Sequence, residues 1–290
     1  MMLRTLALLM LLPAAQEARQ EGLTPDVADE KYGPHERNVL DLWKAPSAAP
    51  TPLVVFIHGG GFLVGYKEYV KADLIRRCRQ NGISVAAINY RYSSQAPFPA
   101  PFHDAARAIQ YLRSKAKDWN LDPARFGATG GSAGGGISLW LAFHDDLADP
   151  KSEDPVLRQS SRLQTVVAVA AQCSYDPRWI REHIGGRAHD HTAIVQLYGL
   201  PPEERDSDKA HRLYDEAAPI RHLTKDDPPV YLTYEGPDLP NGREGGGIHC
   251  SKFGEILKGE MDKLGIPCEL KVGADSIESY VAFFIKQLKR

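Results

Sequence analysis

The sequence predicts an α/β fold: a mostly parallel sheet with helices on both faces and a small helical insertion. Three observations carry this. Short, continuous apolar runs such as residues 53–57 (LVVFI) and 165–171 (TVVAVAA) read as strands buried on both faces. They alternate with segments of helical spacing, the pattern of strands joined by crossover helices. The chain has 290 residues, 43% hydrophobic and 25% charged, which is enough to bury one large core without staples. With 35 Lys and Arg against 37 Asp and Glu, the net charge is −2. That balance excludes a polybasic surface for nucleic acid or membranes.

The N-terminus starts basic at Arg4 and continues as an apolar run over residues 5–15 (TLALLMLLPAA), too short to span a bilayer. Small residues follow at Ala14, Ala15 and Ala18, so residues 1–18 read as a signal peptide and the protein as exported. Export, to periplasm or exterior, leaves no stable membrane insertion after cleavage. Residues 19–36 are polar and read as irregular. Strands are expected at 38–43, 53–57, 83–90, 126–129, 165–171, 230–234 and 268–272, and helices at 69–80, 104–119, 133–143, 252–264 and 277–288. Residues 174–226 break the alternation. They are rich in His, Arg and Pro and read as a cap-like helical insertion within one domain over 32–290.

Four cysteines, Cys78, Cys173, Cys250 and Cys268, show no metal-binding spacing. In an exported protein a disulfide is allowed, and Cys173 with Cys250 is the pair expected at one sheet edge. His189-Asp190-His191 has no third ligand nearby in sequence, so no metal site is expected. No cofactor is expected.

The strongest chemical signal is Gly130-Gly131-Ser132-Ala133-Gly134, between a predicted strand and a predicted helix. This is the context of a GxSxG elbow, in which a tight strand-to-helix turn forces the serine into strained backbone and presents its hydroxyl at the sheet edge. A dinucleotide-binding turn is the competing reading. That fingerprint belongs to a first βαβ unit followed by an acidic residue about 20 positions on. Here two strands and two helices come first, and residues 148–154 form a polar loop.

The second signal is His58-Gly59-Gly60-Gly61-Phe62, at the end of a predicted strand. Such glycines let main-chain N–H groups approach a substrate oxygen, so Gly60 and Gly61 with Ala133 are the expected oxyanion-hole donors. His58 precedes the glycine run and reads as a loop-organising residue rather than a base.

With these motifs the chain resembles α/β-hydrolases of the acetyl-esterase/lipase group, the branch that includes hormone-sensitive-lipase-like and feruloyl-esterase-like enzymes. The resemblance rests on Tyr32-Gly33 with Asn38-Val39-Leu40-Asp41-Leu42, on the His58 and Gly130 motifs, on Asn89-Tyr90-Arg91-Tyr92, and on Phe98-Pro99 with Asp104. It implies an α/β-hydrolase fold and a serine carboxylesterase acting through an acyl-enzyme on short-chain acyl or acylated-saccharide esters, with no nucleic-acid partner. In the family the order is serine, acid, histidine, and Asp238 matches the acid; the other reading of Asp238 is a turn residue before Pro240.

The resemblance departs at the histidine. The family places it between the last strand and last helix, where this chain has Gly273-Ala274-Asp275-Ser276, and no histidine follows His249. A serine without a base is a weak nucleophile. Three readings stay open: His249, in a glycine-rich loop on the expected catalytic side, serves as base; a histidine of the insertion, His183, His189 or His191, does so; or the protein is a catalytically impaired relative that binds a ligand. The site set carried forward is Ser132, Asp238 and His249 with Gly60, Gly61 and Ala133.

Overall fold

The computed structural model describes residues 23–236 and 238–289. The leader expected over residues 1–18 lies outside them. The sheet has eight strands: β1 (Val27–Lys31), β2 (Val39–Trp43), β3 (Thr51–Ile57), β4 (Ser84–Ile88), β5 (Leu121–Gly131), β6 (Thr165–Val169), β7 (Val230–Tyr234) and β8 (Cys268–Val272). Their order is β1-β2-β4-β3-β5-β6-β7-β8. β1 and β2 enter antiparallel, and every pairing from β4 to β8 is parallel.

Alternation along each strand splits the core in two. Leu53, Val55 and Ile57 of β3 face one layer, and Val54 faces the other. The first layer holds α2 (Ala100–Ser114), α4 (Ala133–Phe143) and α8 (Lys252–Leu264), through Phe102, Ile109, Ile137, Trp140, Phe253 and Leu257. Here α3 is the short helix Ala116–Trp119 that follows α2. The second layer holds α1 (Ala72–Gln80) and α9 (Ile277–Leu288), through Leu74, Ile75, Val281 and Phe284. Between β6 and β7 the chain forms α5 (Pro177–His183), α6 (Thr192–Leu197) and α7 (Asp208–Ala217). Asp176 and Ser207 cap α5 and α7 by accepting main-chain N–H bonds from Arg178 and Ala210.

Three expectations are corrected. Residues 19–36 are not irregular throughout: β1 pairs with β2, so the sheet begins before residue 32. β1 escapes a hydrophobic pattern because it is an edge strand of sequence VADEK, largely exposed. The helix expected over 104–119 starts earlier and divides into α2 and α3 at Lys115. The Cys173–Cys250 pairing does not form; all four cysteines are free and buried, where they pack as small apolar side chains.

Among the described residues, no helix is long and apolar enough to cross a membrane.

Candidate active site

Ser132 stands between β5 and α4 with φ 52° and ψ −123°, a backbone conformation an L-residue adopts only under constraint. The constraint is visible in the neighbouring glycines. A Cβ on Gly134 would lie 2.0 Å from the carbonyl oxygen of Ile57, and one on Gly130 would lie 2.3 Å from the same oxygen. The turn therefore folds against the end of β3 with no room for a side chain. Ser132 N–H donates to the Val169 carbonyl at 2.8 Å, which locks the elbow to β6. The Ser132 side chain is only half-buried, and its hydroxyl faces a cavity.

The glycine loop after β3 lines the same cavity through Gly60 and Gly61, together with Ala133 and His249. Among the described residues, the N–H groups of Gly60 and Gly61 have no acceptor. The loop is built from behind by residues the motifs did not reveal as a unit. His58 is fully buried, stacked on Tyr90 with ring centroids 4.2 Å apart. Arg37 donates through Nη2 to His58 Nε2 at 3.2 Å, so the ring proton sits on Nδ1 and points to the Gly59 carbonyl, 2.7 Å away. Burial, with a contribution from the Arg37 charge and against the opposing bond to the Gly59 carbonyl, pushes the His58 pKa down to about 3, so the ring is neutral. Arg37 also bonds the carbonyls of Tyr90 and Gly65, and Tyr90 Oη bonds the His58 carbonyl. His58 thus organises the loop, as its position ahead of the glycines suggested.

The Asn89-Tyr90-Arg91-Tyr92 motif has a similar supporting role. Arg91 forms a forked pair with the buried Asp104 at 2.8 and 2.7 Å, and Tyr92 Oη donates to Gly65 at 2.6 Å.

Of the histidines left open by the sequence, His249 is the one that reaches the serine. His249 Nε2 lies 2.9 Å from Ser132 Oγ, across 117 residues of chain. Its loop runs from β7 to α8 and is held by hydrogen bonds within itself and to neighbouring segments. Asp238 Oδ2 accepts the His249 main-chain N–H at 3.0 Å. Gln172, just beyond β6, donates through Nε2 to the Ile248 carbonyl at 2.7 Å. Gly245 N–H donates to the Arg187 carbonyl at 2.9 Å. Burial holds the His249 pKa below its ordinary value of 6.5, and the Asp238 charge opposes that shift. Asp238, the residue that matches the family's acid, does not bond the imidazole. Its carboxylate grips the main chain, and among the described residues the ring Nδ1 makes no hydrogen bond.

The insertion histidines stand elsewhere. His183 stacks on Trp179 at 4.5 Å and bonds its carbonyl. His189 lies against Asp190, and His191 caps α6 by accepting the Ala193 N–H. His191 lines the Ser132 cavity without bonding the serine.

Arg37 and Gln172 were missed by sequence reasoning. The available sign for Gln172 is a polar side chain directly after a continuous apolar strand, at the sheet edge that carries the elbow. Arg37 gives no sign beyond its place beside the Asn38 motif.

With this geometry described, comparison with known proteins decides the family. The BD-FAE family model matches residues 40–238, more than half of the chain. The chain belongs to the BD-FAE family. Among curated relatives, the Mycobacterium tuberculosis protein named "Probable carboxylic ester hydrolase LipM" is 27% identical over 210 residues, 71% of this chain and 46% of that protein. Esterase LipQ of the same organism is 32% identical over 149 residues, 50% of this chain and 34% of that protein. The chain thus spans less than half the length of these relatives. A solved carbohydrate esterase from gut microbiota superposes with a TM-score of 0.71 at 21% identity, covering 91% of this chain and 96% of the other. That likeness establishes the α/β-hydrolase fold.

The family match ends at residue 238, before His249. The residues of the β8–α9 connection, where the family resemblance placed a histidine, instead hold Asp275, whose carboxylate accepts a 2.9 Å bond from Tyr231 Oη.

Proposed function

We propose that this BD-FAE member is a serine carboxylesterase, with Ser132 as nucleophile, His249 as general base and acid, and Gly60, Gly61 and Ala133 as oxyanion donors. The observation that carries the proposal is the 2.9 Å contact between His249 Nε2 and Ser132 Oγ. A lowered imidazole pKa leaves Nε2 unprotonated at neutral pH, as a base requires.

In this mechanism Nε2 takes the hydroxyl proton as Ser132 Oγ attacks the ester carbonyl carbon. The developing oxyanion meets the main-chain N–H groups of Gly60, Gly61 and Ala133. His249 then gives its proton to the departing alcohol oxygen, and the C–O bond breaks to leave an acyl-serine. Water, deprotonated by His249, attacks the acyl carbon and releases the acid. Asp238 maintains the position of His249 through its main chain and offsets the forming imidazolium charge. The resemblance to esterases makes short-chain acyl or acylated-saccharide esters the substrate class. Export to the periplasm or exterior is part of the same proposal and rests on the leader sequence of residues 1–18.

The test is turnover of p-nitrophenyl butyrate by the wild type, Ser132→Ala and His249→Ala. The expected loss is about 10³-fold or more for each variant. Equal rates for wild type and Ser132→Ala would refute the esterase reading; an unaffected His249→Ala would refute the base assignment alone.

A further inference from the structure

Among the described residues, Ser132 lines a second cavity besides the one that holds His249. The first, about 460 Å³, contains Gly60, Gly61, Ala133 and His249. The second, also about 460 Å³, opens toward the start of α9 and contains none of those four. Its walls are the elbow itself with Phe56, Leu74, Val169, Ile277 and Tyr280, and the exposed Lys71 stands among its lining residues. Phe56 and Leu74 come from β3 and α1, and Ile277 and Tyr280 from the first turns of α9. The short connection over residues 273–276 carries no histidine into this space, because the imidazole arrives from the β7–α8 loop instead.

The chemistry assigns a role to each cavity. The alcohol oxygen must lie within reach of His249 Nε2 to receive its proton, and the carbonyl oxygen must lie at the Gly60, Gly61 and Ala133 amides. Both demands fall in the first cavity. The third substituent on the reacting carbon, the acyl group, is left with the second. We infer that the cavity between Ser132 and α9 binds the acyl group of the ester, and that its apolar wall selects acyl groups longer than acetyl. This inference rests on the esterase reading.

The experiment compares p-nitrophenyl acetate, butyrate and hexanoate on the wild type, Ile277→Trp and Ile277→Ala, with ethyl and benzyl butyrate as a leaving-group pair. Ile277 is half-buried at a helix start, so both replacements are compatible with folding, and melting curves verify it. In the wild type kcat/KM should rise with acyl length, by up to about fourfold per methylene. Ile277→Trp should lower the hexanoate-to-acetate ratio at least tenfold, Ile277→Ala should keep or raise it, and the benzyl-to-ethyl ratio should not move. A wild type that prefers acetate would overturn the inference. So would an Ile277→Trp variant that changes the benzyl-to-ethyl ratio rather than the acyl ratio. Either result, with turnover still dependent on Ser132, leaves the esterase reading standing. Loss of Ser132 dependence removes both.

Discussion

Asp238 holds His249 by the main chain: its Oδ2 accepts the His249 N–H at 3.0 Å, while the imidazole reaches forward to Ser132. Anchor and charge can therefore be separated by mutation. Asp238→Asn keeps an amide oxygen for the N–H bond but removes the negative charge, and Asp238→Ala removes both. The expected order of kcat is wild type above Asp238→Asn above Asp238→Ala, with the alanine variant down by about 10²-fold or more. Because the carboxylate opposes the depression of the His249 pKa, Asp238→Asn should also shift the acid limb of kcat/KM to lower pH. Steady-state profiles on one butyrate ester check both effects.

The wild-type pH profile follows from the same shift. His249 has its pKa below 6.5, chiefly by burial, so it stays an unprotonated base as pH falls through 6.5 and is lost only below that. The acid limb should therefore have an apparent pKa below 6.5. A limb above 7 would contradict the burial argument.

Gln172 should behave as a positioning residue. Gln172→Ala deletes the bond to the Ile248 carbonyl, worth about 1 kcal/mol, without touching the elbow. The expected result is a kcat loss of about tenfold with little change in KM or in Tm. A variant with unchanged kcat would show that the remaining ties suffice for the loop.

The elbow predicts a conflict between stability and activity. Ser132 has φ 52°, a strain on the order of 1–3 kcal/mol that glycine does not incur. Ser132→Gly should therefore melt higher than Ser132→Ala, while both lose turnover. Gly134→Ala should do the opposite of relieving strain. Its Cβ would meet the Ile57 carbonyl oxygen at 2.0 Å, and the shift required should cost about 3 kcal/mol and displace the nucleophile. Thermal unfolding of the three variants measures the ordering.

Much of the fold was legible in the chain because it is written locally. β7, β8, α4, α8 and α9 have the bounds the patterns predicted: β7 and α4 are buried throughout, α8 and α9 bury one apolar face, and the edge strand β8, though largely exposed, still alternates Cys268, Leu270 and Val272 with polar residues. β1 was not legible, as an exposed edge strand has no apolar face to reveal it. The disulfide expectation failed for a related reason: nearness to one sheet edge does not set whether two thiols bond, and packing buried both as free side chains.

The same division runs through the site. Sequence alone determined the elbow at Ser132 and the glycine loop at His58–Phe62, because a steric requirement between adjacent residues writes each of them. Which imidazole meets the serine was decided only by tertiary structure. His249 lies 117 residues from Ser132, and its approach depends on Asp238 within its own loop and on Gln172 and Arg187 from two other segments. No local pattern encodes such convergence, because the contacts that fix it exist only after the sheet has brought the ends of β5, β6 and β7 side by side.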